Sequence, residues 1–302
     1  MDETMTIIVA GATGSIGRAA AQGLARRGHR VVLLGRRLAR LQEEVAGLKA
    51  ELERAAFEPS EDNLRTLVID FTDLDSVRRA GERALELYSR IDGLILSVGA
   101  FLQDGPRVLP NGHEAMFTAN VVGPFLLTEL LLPRLVESGA VVAHVIAPFE
   151  EELDFSDLES LKHHRAMVAF NRTKVCNRMM AGELARRYGD KLTSVAFDPS
   201  FVIDKKDPDL RKRWPKGAWG VGWRIAAMLA AKPPATAGEP LAELVALRRG
   251  RRPINGALFK LYHQVAKPDA AMKDVDGGRR LWEELARMTG AISPHYPPSP
   301  LT

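Results

Sequence analysis

Residues 7 to 17, Ile-Ile-Val-Ala-Gly-Ala-Thr-Gly-Ser-Ile-Gly, constrain the fold more than any other part of the chain. A short apolar run that predicts a strand leads into a glycine-rich turn, and a helical pattern follows. This order lets backbone N–H groups at the helix N-terminus approach a pyrophosphate. The sequence therefore predicts a nucleotide-binding loop made of Gly11, Thr13, Gly14, Ser15, Ile16 and Gly17.

Short apolar runs alternate with longer helical patterns along the chain. The predicted strands are Ile7–Ala10, Val31–Leu34, Thr66–Ile69, Gly93–Ser97, Val141–Ile146 and Ser194–Phe197. The predicted helices are Gly17–Arg27, Ala39–Ala56, Leu74–Tyr88, Gly112–Val136 and Met167–Tyr188. Such alternation is typical of βαβ units, so we expect an α/β fold with a Rossmann-like, doubly wound parallel sheet.

A chain of 302 residues with 46% hydrophobic composition can bury one sizeable core, so residues 1–302 are predicted to form a single domain. Residues 204–252 are irregular by comparison and contain Trp214, Trp219 and Trp223. The proline-rich residues 291–302 predict an irregular tail.

Charge and cysteine content exclude several classes of protein. The net charge of +4 comes from dispersed basic residues, which does not favour nucleic-acid binding. The single cysteine, Cys176, fits a reducing compartment and has no metal-ligating companions, so no metal site is expected. The N-terminus does not resemble a signal peptide and no apolar run reaches membrane-spanning length. We therefore expect a soluble cytoplasmic protein.

The second predicted strand ends in Leu-Leu-Gly-Arg-Arg, which places Arg36 and Arg37 where an NAD enzyme presents an acidic residue to the ribose hydroxyls. A guanidinium at that position matches a 2′-phosphate, so NADP(H) is favoured over NAD(H). The alternative is that both arginines are solvated charges at the start of a helix.

Taken together, these residues resemble the short-chain dehydrogenase/reductase family, and in particular its retinol-dehydrogenase-like branch. The resemblance covers most of the chain. It implies that residues 204–252 form a small helical cap over an apolar substrate, although packing of that cap on the core explains the three tryptophans equally well. It implies that Asp70 and Phe71 contact the adenine and that Asn120 holds a proton-relay water. It further implies that Lys174 binds the nicotinamide ribose, with Gly99, Pro199 and Val202 also lining the cofactor site.

The chain departs from the family pattern at two catalytic positions. In Phe170-Asn171-Arg172-Thr173-Lys174, phenylalanine replaces the family's tyrosine, which transfers the substrate proton. Alignment of the fifth strand puts Ala147 where the family has the serine that orients the carbonyl oxygen. The catalytic tetrad is therefore predicted to be degenerate, with only Asn120 and Lys174 retained.

Two histidines are candidates for a substitute acid. His144 lies on the fifth predicted strand, and His163 precedes the active-site helix. Packing in the core is the more ordinary role for His144, and surface exposure is the more ordinary role for His163.

Three functions remain open from the sequence. The first is an atypical enzyme that binds NADP(H) and either transfers hydride to an activated carbon or catalyses a non-redox cyclisation or isomerisation. The second is a non-catalytic NADP(H) sensor or binding partner, and the third is an ordinary carbonyl reductase with a substitute acid. By the resemblance, the helices over 112–136 and 167–188 pair across a dyad in a homodimer or homotetramer, although a monomer stays open.

Overall fold

The fold is built on one twisted sheet. The computed structural model describes residues 4–55, 63–147, 149–205, 221–222, 231–246, 254–267 and 269–291. The strand order is β3-β2-β1-β4-β5-β6-β7-β8, parallel up to β7, with β8 antiparallel to β7. The strands are β1 (Thr6–Ala10), β2 (Arg30–Gly35), β3 (Leu64–Val68), β4 (Gly93–Leu96), β5 (Val141–Val145), β6 (Thr193–Asp198), β7 (Leu258–Lys260) and β8 (His263–Gln264). The predicted doubly wound α/β fold is confirmed.

Helices cover both faces of this sheet. In chain order, they are α1 (Ser15–Arg26), α2 (Leu38–Arg54), α3 (Leu74–Leu87), α4 (Ala115–Ser138), α5 (Ala166–Tyr188), α6 (Ala235–Val245), α7 (Ala270–Lys273) and α8 (Val275–Thr289). Successive side chains of a strand point to opposite faces, so β1 supplies both cores. Ile7 and Val9 pack with α1, α2 and α6 in what we call the first core. Ile8 and Ala10 pack with α3, α4, α5 and α8 in the second core.

Helix α4 is the most apolar helix of the second core. It is long and apolar enough to span a membrane by length and composition, but 89% of its apolar 18-residue stretch is buried inside the molecule. Burial on that scale is what a core helix of an α/β protein requires. The helix contains a π-helical turn over Thr118–Val122, next to the site described below.

Residues 235–245, within the segment 204–252 that was predicted to be a small helical cap, form helix α6. Ala237, Leu241 and Val245 are fully buried against the first core. This helix closes one face of the sheet, and a substrate-capping role for the segment stays a prediction. The three tryptophans of the segment and the tail over 292–302 lie outside the described residues.

Strand boundaries differ from the sequence prediction in two places. The third strand is shifted, since it covers Leu64–Val68 and not Thr66–Ile69. Strands β7 and β8 were not predicted, because three- and two-residue strands carry too little periodicity to recognise.

Candidate cofactor and active site

The glycines of the first turn are required by close backbone contacts. Gly11 has φ +79°, and a Cβ there would lie 2.5 Å from the Ser97 carbonyl oxygen. A Cβ on Gly17 would lie 2.4 Å from the Gly11 carbonyl oxygen. Gly14 is the N-cap of α1 and supplies no side-chain cap, and the first helical turn carries no acidic residue. The N-terminus of α1 is therefore built to accept an anion at Ser15, Ile16 and Gly17.

A groove of about 1040 Å³ runs from this turn along α1 and α2, with Thr13, Gly14, Ser15 and Arg37 in its wall. Arg36 and Arg37 are both exposed. Among the described residues, neither guanidinium makes a hydrogen bond or an ion pair, whereas neighbouring Arg18 is paired with Glu44 at 2.6 Å and with Glu51 at 2.8 Å. Arg37 therefore brings to this groove a cation that is unpaired among the described residues, and the exposed Arg36 directly precedes it in the chain.

Asp70 lies in the turn after β3 at the same edge of the sheet. Its Oδ1 accepts hydrogen bonds from the N–H of Thr72 at 2.9 Å and from the hydroxyl of Thr72 at 2.7 Å. Phe71 is buried, and a Cβ on Gly123 would lie 2.5 Å from its carbonyl oxygen. The turn is thus fixed between β3 and α4, with one Asp70 oxygen outside these two contacts.

Asn120 sits in the π-helical turn of α4 and is 1% exposed. Its Oδ1 accepts a hydrogen bond from the N–H of Ala100 at 2.7 Å, and its Nδ2 donates to the carbonyl of Ala100 at 2.9 Å. The same Nδ2 donates to the hydroxyl of Thr173 at 3.3 Å. Asn120 therefore joins the segment after β4 to helix α5, next to Lys174.

Lys174 is a buried cation, only 5% exposed. Its Nζ donates to the carbonyl oxygen of Val98 at 2.8 Å, and a Cβ on Gly99 would lie 3.7 Å from it. Burial lowers the pKa of Lys174 to about 8. The amine is therefore partly neutral near physiological pH, as is common for lysines at functional sites.

Phe170 lies one helical turn before Lys174, and its ring centroid is 5.5 Å from the lysine Nζ. The ring of Phe101 packs edge-on against it, with centroids 5.6 Å apart. The described tyrosines lie elsewhere: Tyr88 and Tyr188 in the core and Tyr262 in the turn between β7 and β8. The space beside Lys174 thus presents two aromatic rings and no phenolic hydroxyl from the described residues.

Ala147 follows β5 at the carboxyl end of the sheet. The preceding Ile146 is 3% exposed, and its N–H donates to the carbonyl oxygen of Phe197 at 2.9 Å. This contact continues the pairing of β5 with β6 to the edge of the site. Neither Ile146 nor Ala147 carries a hydroxyl that could orient a substrate carbonyl.

The two histidines differ in their relation to this cluster, since His144 lines a small cavity together with Val98 and Asn120. His144 is 5% exposed within β5, and burial lowers its pKa to about 3. Its Nε2 has no hydrogen-bond partner among the described residues, and His144 lines a cavity of about 20 Å³ with Asn120 and Asn177, which is room for a single water. His163 is exposed on the connection before α5. A neutral His144 cannot donate a proton as an imidazolium at neutral pH.

The turn after β6 has a left-handed backbone conformation at a residue that is not glycine. Pro199 is buried, and Ser200 has φ +62°, with its N–H bonded to Asp198 Oδ1 at 2.7 Å. Val202 then pairs with Lys232 in an isolated parallel bridge. The backbone therefore follows a left-handed turn that glycine would adopt with less strain.

Sequence reasoning missed four partners of the predicted residues: Val98, Ala100, Phe101 and Thr173. Their roles come from contacts between segments far apart in the chain. The hydroxyl of Thr173 beside Lys174 was the one available signal. The assembled site can bind an anionic nucleotide and pack an apolar group against Phe101 and Phe170.

Comparison with known proteins agrees with this geometry. The family model described as short chain dehydrogenase matches residues 5–146. Polyprenol dehydrogenase of Mus musculus is 30% identical over 303 residues, covering 94% of this chain and 83% of that protein. A protein of Streptomyces sp. (strain C5), provisionally named daunorubicin C-13 ketoreductase DnrU, is 36% identical over 65% of this chain and 66% of its own length.

The alignments to this ketoreductase and to three retinol dehydrogenases span only 61% to 66% of those proteins' lengths. Among solved structures, an uncharacterised protein from Mycobacterium paratuberculosis superimposes with a TM-score of 0.70 at 20% identity, covering 96% of both chains. At that identity, the structural match supports the fold alone.

Proposed function

Because this chain belongs to the short-chain dehydrogenase/reductase family, we propose that it is an atypical NADP(H)-binding member that acts on an apolar small molecule without the family's tyrosine and serine hydroxyls. The observation that carries the proposal is the Phe170 ring, 5.5 Å from the Nζ of Lys174, where the resemblance puts a tyrosine. The family's relatives are NAD(P)-dependent oxidoreductases.

The residues of the nucleotide half fit NADP(H). The contacts at Gly11 and Gly17 leave no room for a Cβ, and the N-terminus of α1 has no acidic residue to repel a pyrophosphate. Arg36 and Arg37 supply guanidinium groups for a 2′-phosphate, and Lys174 supplies an amine for the ribose. When bound, the nicotinamide supplies or accepts a hydride at this edge of the sheet.

The same cluster is poorly suited to ordinary carbonyl reduction. A developing alkoxide needs hydrogen-bond donors, and loss of one such donor costs about a hundred- to a thousandfold in rate. Reduction of a conjugated carbon–carbon bond or an iminium carbon does not need a hydroxyl beside an oxygen atom, and neither does a cyclisation or isomerisation. These reactions are therefore the proposed chemistry.

Two observations support an apolar substrate. Phe149, Met167 and Phe201 are 52%, 41% and 36% exposed on segments that begin at or next to the carboxyl ends of the strands, where ligands of such sheets bind. The relatives are named for retinol, polyprenol and daunorubicin. Retinol and polyprenol are alcohols whose bulk is hydrocarbon.

Titration with NADPH, NADP⁺ and NADH, followed by nicotinamide fluorescence and tryptophan quenching, tests the nucleotide half. We expect micromolar or tighter binding of the phosphorylated forms, and Arg36→Ala to weaken NADPH binding about tenfold or more while leaving NADH unchanged. Arg26→Ala is the matched control, since Arg26 pairs with Glu239 at 3.3 Å. Equal affinities of the wild type for NADPH and NADH would remove the NADP(H) assignment.

The double variant Phe170→Tyr, Ala147→Ser tests the catalytic half. Restoring both hydroxyls should create NADPH-dependent reduction of an apolar aldehyde, such as all-trans-retinal, that the wild type lacks. Efficient reduction by the wild type would contradict the proposal. A double variant that binds NADPH normally but stays inert would show that the two hydroxyls are not the missing groups.

A non-catalytic NADP(H)-binding protein is the second candidate, because Phe170 and Ala147 remove catalytic groups but not nucleotide-binding ones. Measuring NADPH oxidation with a panel of conjugated aldehydes, enones and imines distinguishes the two candidate functions. Turnover of any member by the wild type favours the enzyme. Tight NADPH binding with no chemistry across the panel favours the sensor.

A further inference from the structure

Residues 149–152 belong to the connection between β5 and α5 and lie against helix α5. We refer to them as the strap. The Phe149 carbonyl and the Glu150 carboxylate accept hydrogen bonds from Arg178. Farther along, Glu151 Oε1 accepts a 3.5 Å contact from Asn171, and the carbonyl of Glu152 accepts from Arg172 Nε at 3.0 Å. The strap therefore borders the stretch of α5 that carries Phe170 and Lys174.

Arg178 holds the strap from the inside of the molecule. Its side chain is 2% exposed and contacts two carboxylates of very different exposure. Asp269 is 5% exposed and lies 2.9 Å from Nη1, whereas Glu150 is 77% exposed and binds both terminal nitrogens, at 2.8 Å and 3.0 Å. The second oxygen of Asp269 also accepts from the N–H of Met272, which caps α7.

This asymmetry allows one contact to open while the other persists. A buried guanidinium without a counter-ion is strongly disfavoured, so Arg178 must keep at least one acid. Asp269 is fixed by burial and by its capping role, whereas the exposed Glu150 can exchange Arg178 for water at low cost. Release of Glu150 therefore removes the side-chain ion pair of the strap without leaving an unpaired buried charge, and it leaves the strap held by the Phe149, Glu151 and Glu152 contacts alone.

We propose that the strap is a gate over the Phe170–Lys174 site and that the Glu150–Arg178 contact is its latch. The strap starts two residues after Ala147, and Asn171, which holds its middle, directly follows Phe170. Opening at Glu150 exposes the aromatic wall while Arg178 and Asp269 keep α5 and α7 in place. The identity of the gated ligand as an apolar molecule rests on the proposed function, but the gate itself does not.

Thiol accessibility tests the gate without ligand or cofactor. Cys176 is the only native cysteine and is buried. A thiol introduced by Phe170→Cys, or in a second variant by Phe101→Cys, reports access to the site through its rate of alkylation by N-ethylmaleimide. Each is measured alone, with Glu150→Gln and with the matched control Glu151→Gln, whose carboxylate makes only the 3.5 Å contact.

We expect Glu150→Gln to raise the alkylation rate of the introduced thiol about three- to fivefold, the size of an exposed ion-pair contribution. Glu151→Gln should stay within about twofold, Cys176 should stay unlabelled and the Tm should be unchanged. Equal rates with and without Glu150→Gln would overturn the gate, and so would an equal increase in both variants. Failure of NADPH binding would instead count against the proposed function, since this assay contains no nucleotide.

Discussion

At the scale of single residues, Lys174 is the most unusual group in the molecule. Among the described residues its amine contacts the Val98 carbonyl and lies over the Phe170 ring, and no carboxylate balances its charge. Burial lowers its pKa from 10.5 to about 8. Between those values, the unfolded chain binds the proton that the folded protein has lost, so stability should rise as the pH increases through this window.

Lys174→Met should therefore stabilise the free protein. Below pH 8, the folded state bears the cost of a buried, uncompensated charge, and removing it should raise the free energy of unfolding by about 1–3 kcal/mol at pH 7. The rise in stability between pH 8 and 10 should also disappear. Urea unfolding of both proteins at pH 7 and pH 9.5 measures this.

The control for Lys174→Met is Lys162→Met, because Lys162 is exposed. It should leave the pH dependence unchanged. A Lys174→Met protein that is less stable than the wild type at both pH values would mean that the Val98 hydrogen bond outweighs the desolvation of the amine.

At the scale of elements, the crossing of α1 and α6 depends on small residues. A Cβ on Gly238 would lie 2.3 Å from the Cβ of Ala19, and a Cβ on Gly23 would lie 2.8 Å from the Cβ of Ala242. Two helices that approach this closely have no flexible side chain to move aside. The contact secures α6 to helix α1.

Gly238→Ala should destabilise the protein by about 1–3 kcal/mol or more, because the added methyl overlaps α1. Gly47→Ala in α2 is the matched control, since its nearest neighbour is the Arg18 guanidinium at 3.6 Å. Helix propensity alone should make that variant up to about 1 kcal/mol more stable. Thermal unfolding measures both, and a harmless Gly238→Ala would refute the close crossing.

The elements that sequence reasoning recovered are those with local signals. Strand β1 and the helix after it follow from apolar runs and glycine spacing, and the close contacts of Gly11 and Gly17 explain that spacing. Helix α6 was missed because Pro233, Pro234 and Pro240 suggested irregular structure, whereas burial against α1 stabilises it. Tertiary packing overrode a local signal there.

The residues of the candidate site also fall into those with a local sequence signal and those without one. Gly11, Asn120 and Lys174 could be assigned from motif positions, and their roles at a cofactor stay predictions. The Phe101–Phe170 contact and the bond from Lys174 to Val98 join distant segments, so the fold had to be known first. His144 illustrates the limit, since only its burial in β5 shows that it stays neutral.

At the scale of the whole molecule, the chain's own C-terminal helices pack on the two helices that the resemblance assigns to dimerisation. The outer face of α5 packs against α7 and α8, and a Cβ on Gly182 would lie 2.2 Å from the Met272 carbonyl oxygen. Trp282 of α8 packs edge-on against Phe125 of α4 at 5.2 Å, and the Arg187 guanidinium lies 4.7 Å above its ring. Helices α4 and α5 are thus occupied by the chain's own C-terminal helices.

We therefore expect a monomer in solution. Pairing of α4 and α5 across a dyad would require α8 to detach, exposing Leu281 and Leu285, which are fully buried. That cost exceeds what a symmetric contact through the same helices would return unless it buried at least as much apolar surface. Light scattering after size exclusion, from micromolar to near-millimolar protein, should give the mass of one chain throughout.

A variant that weakens the packing of α8 tests whether this packing is what keeps the protein monomeric. Leu285→Arg places a charge in the second core, so it should weaken the docking of α8 and expose the apolar faces of α4 and α5. Self-association that rises with concentration should then appear, while Glu284→Arg, a surface change one residue earlier, should remain monomeric. A wild-type dimer that persists at the lowest concentration would show that some other surface pairs two copies of this chain.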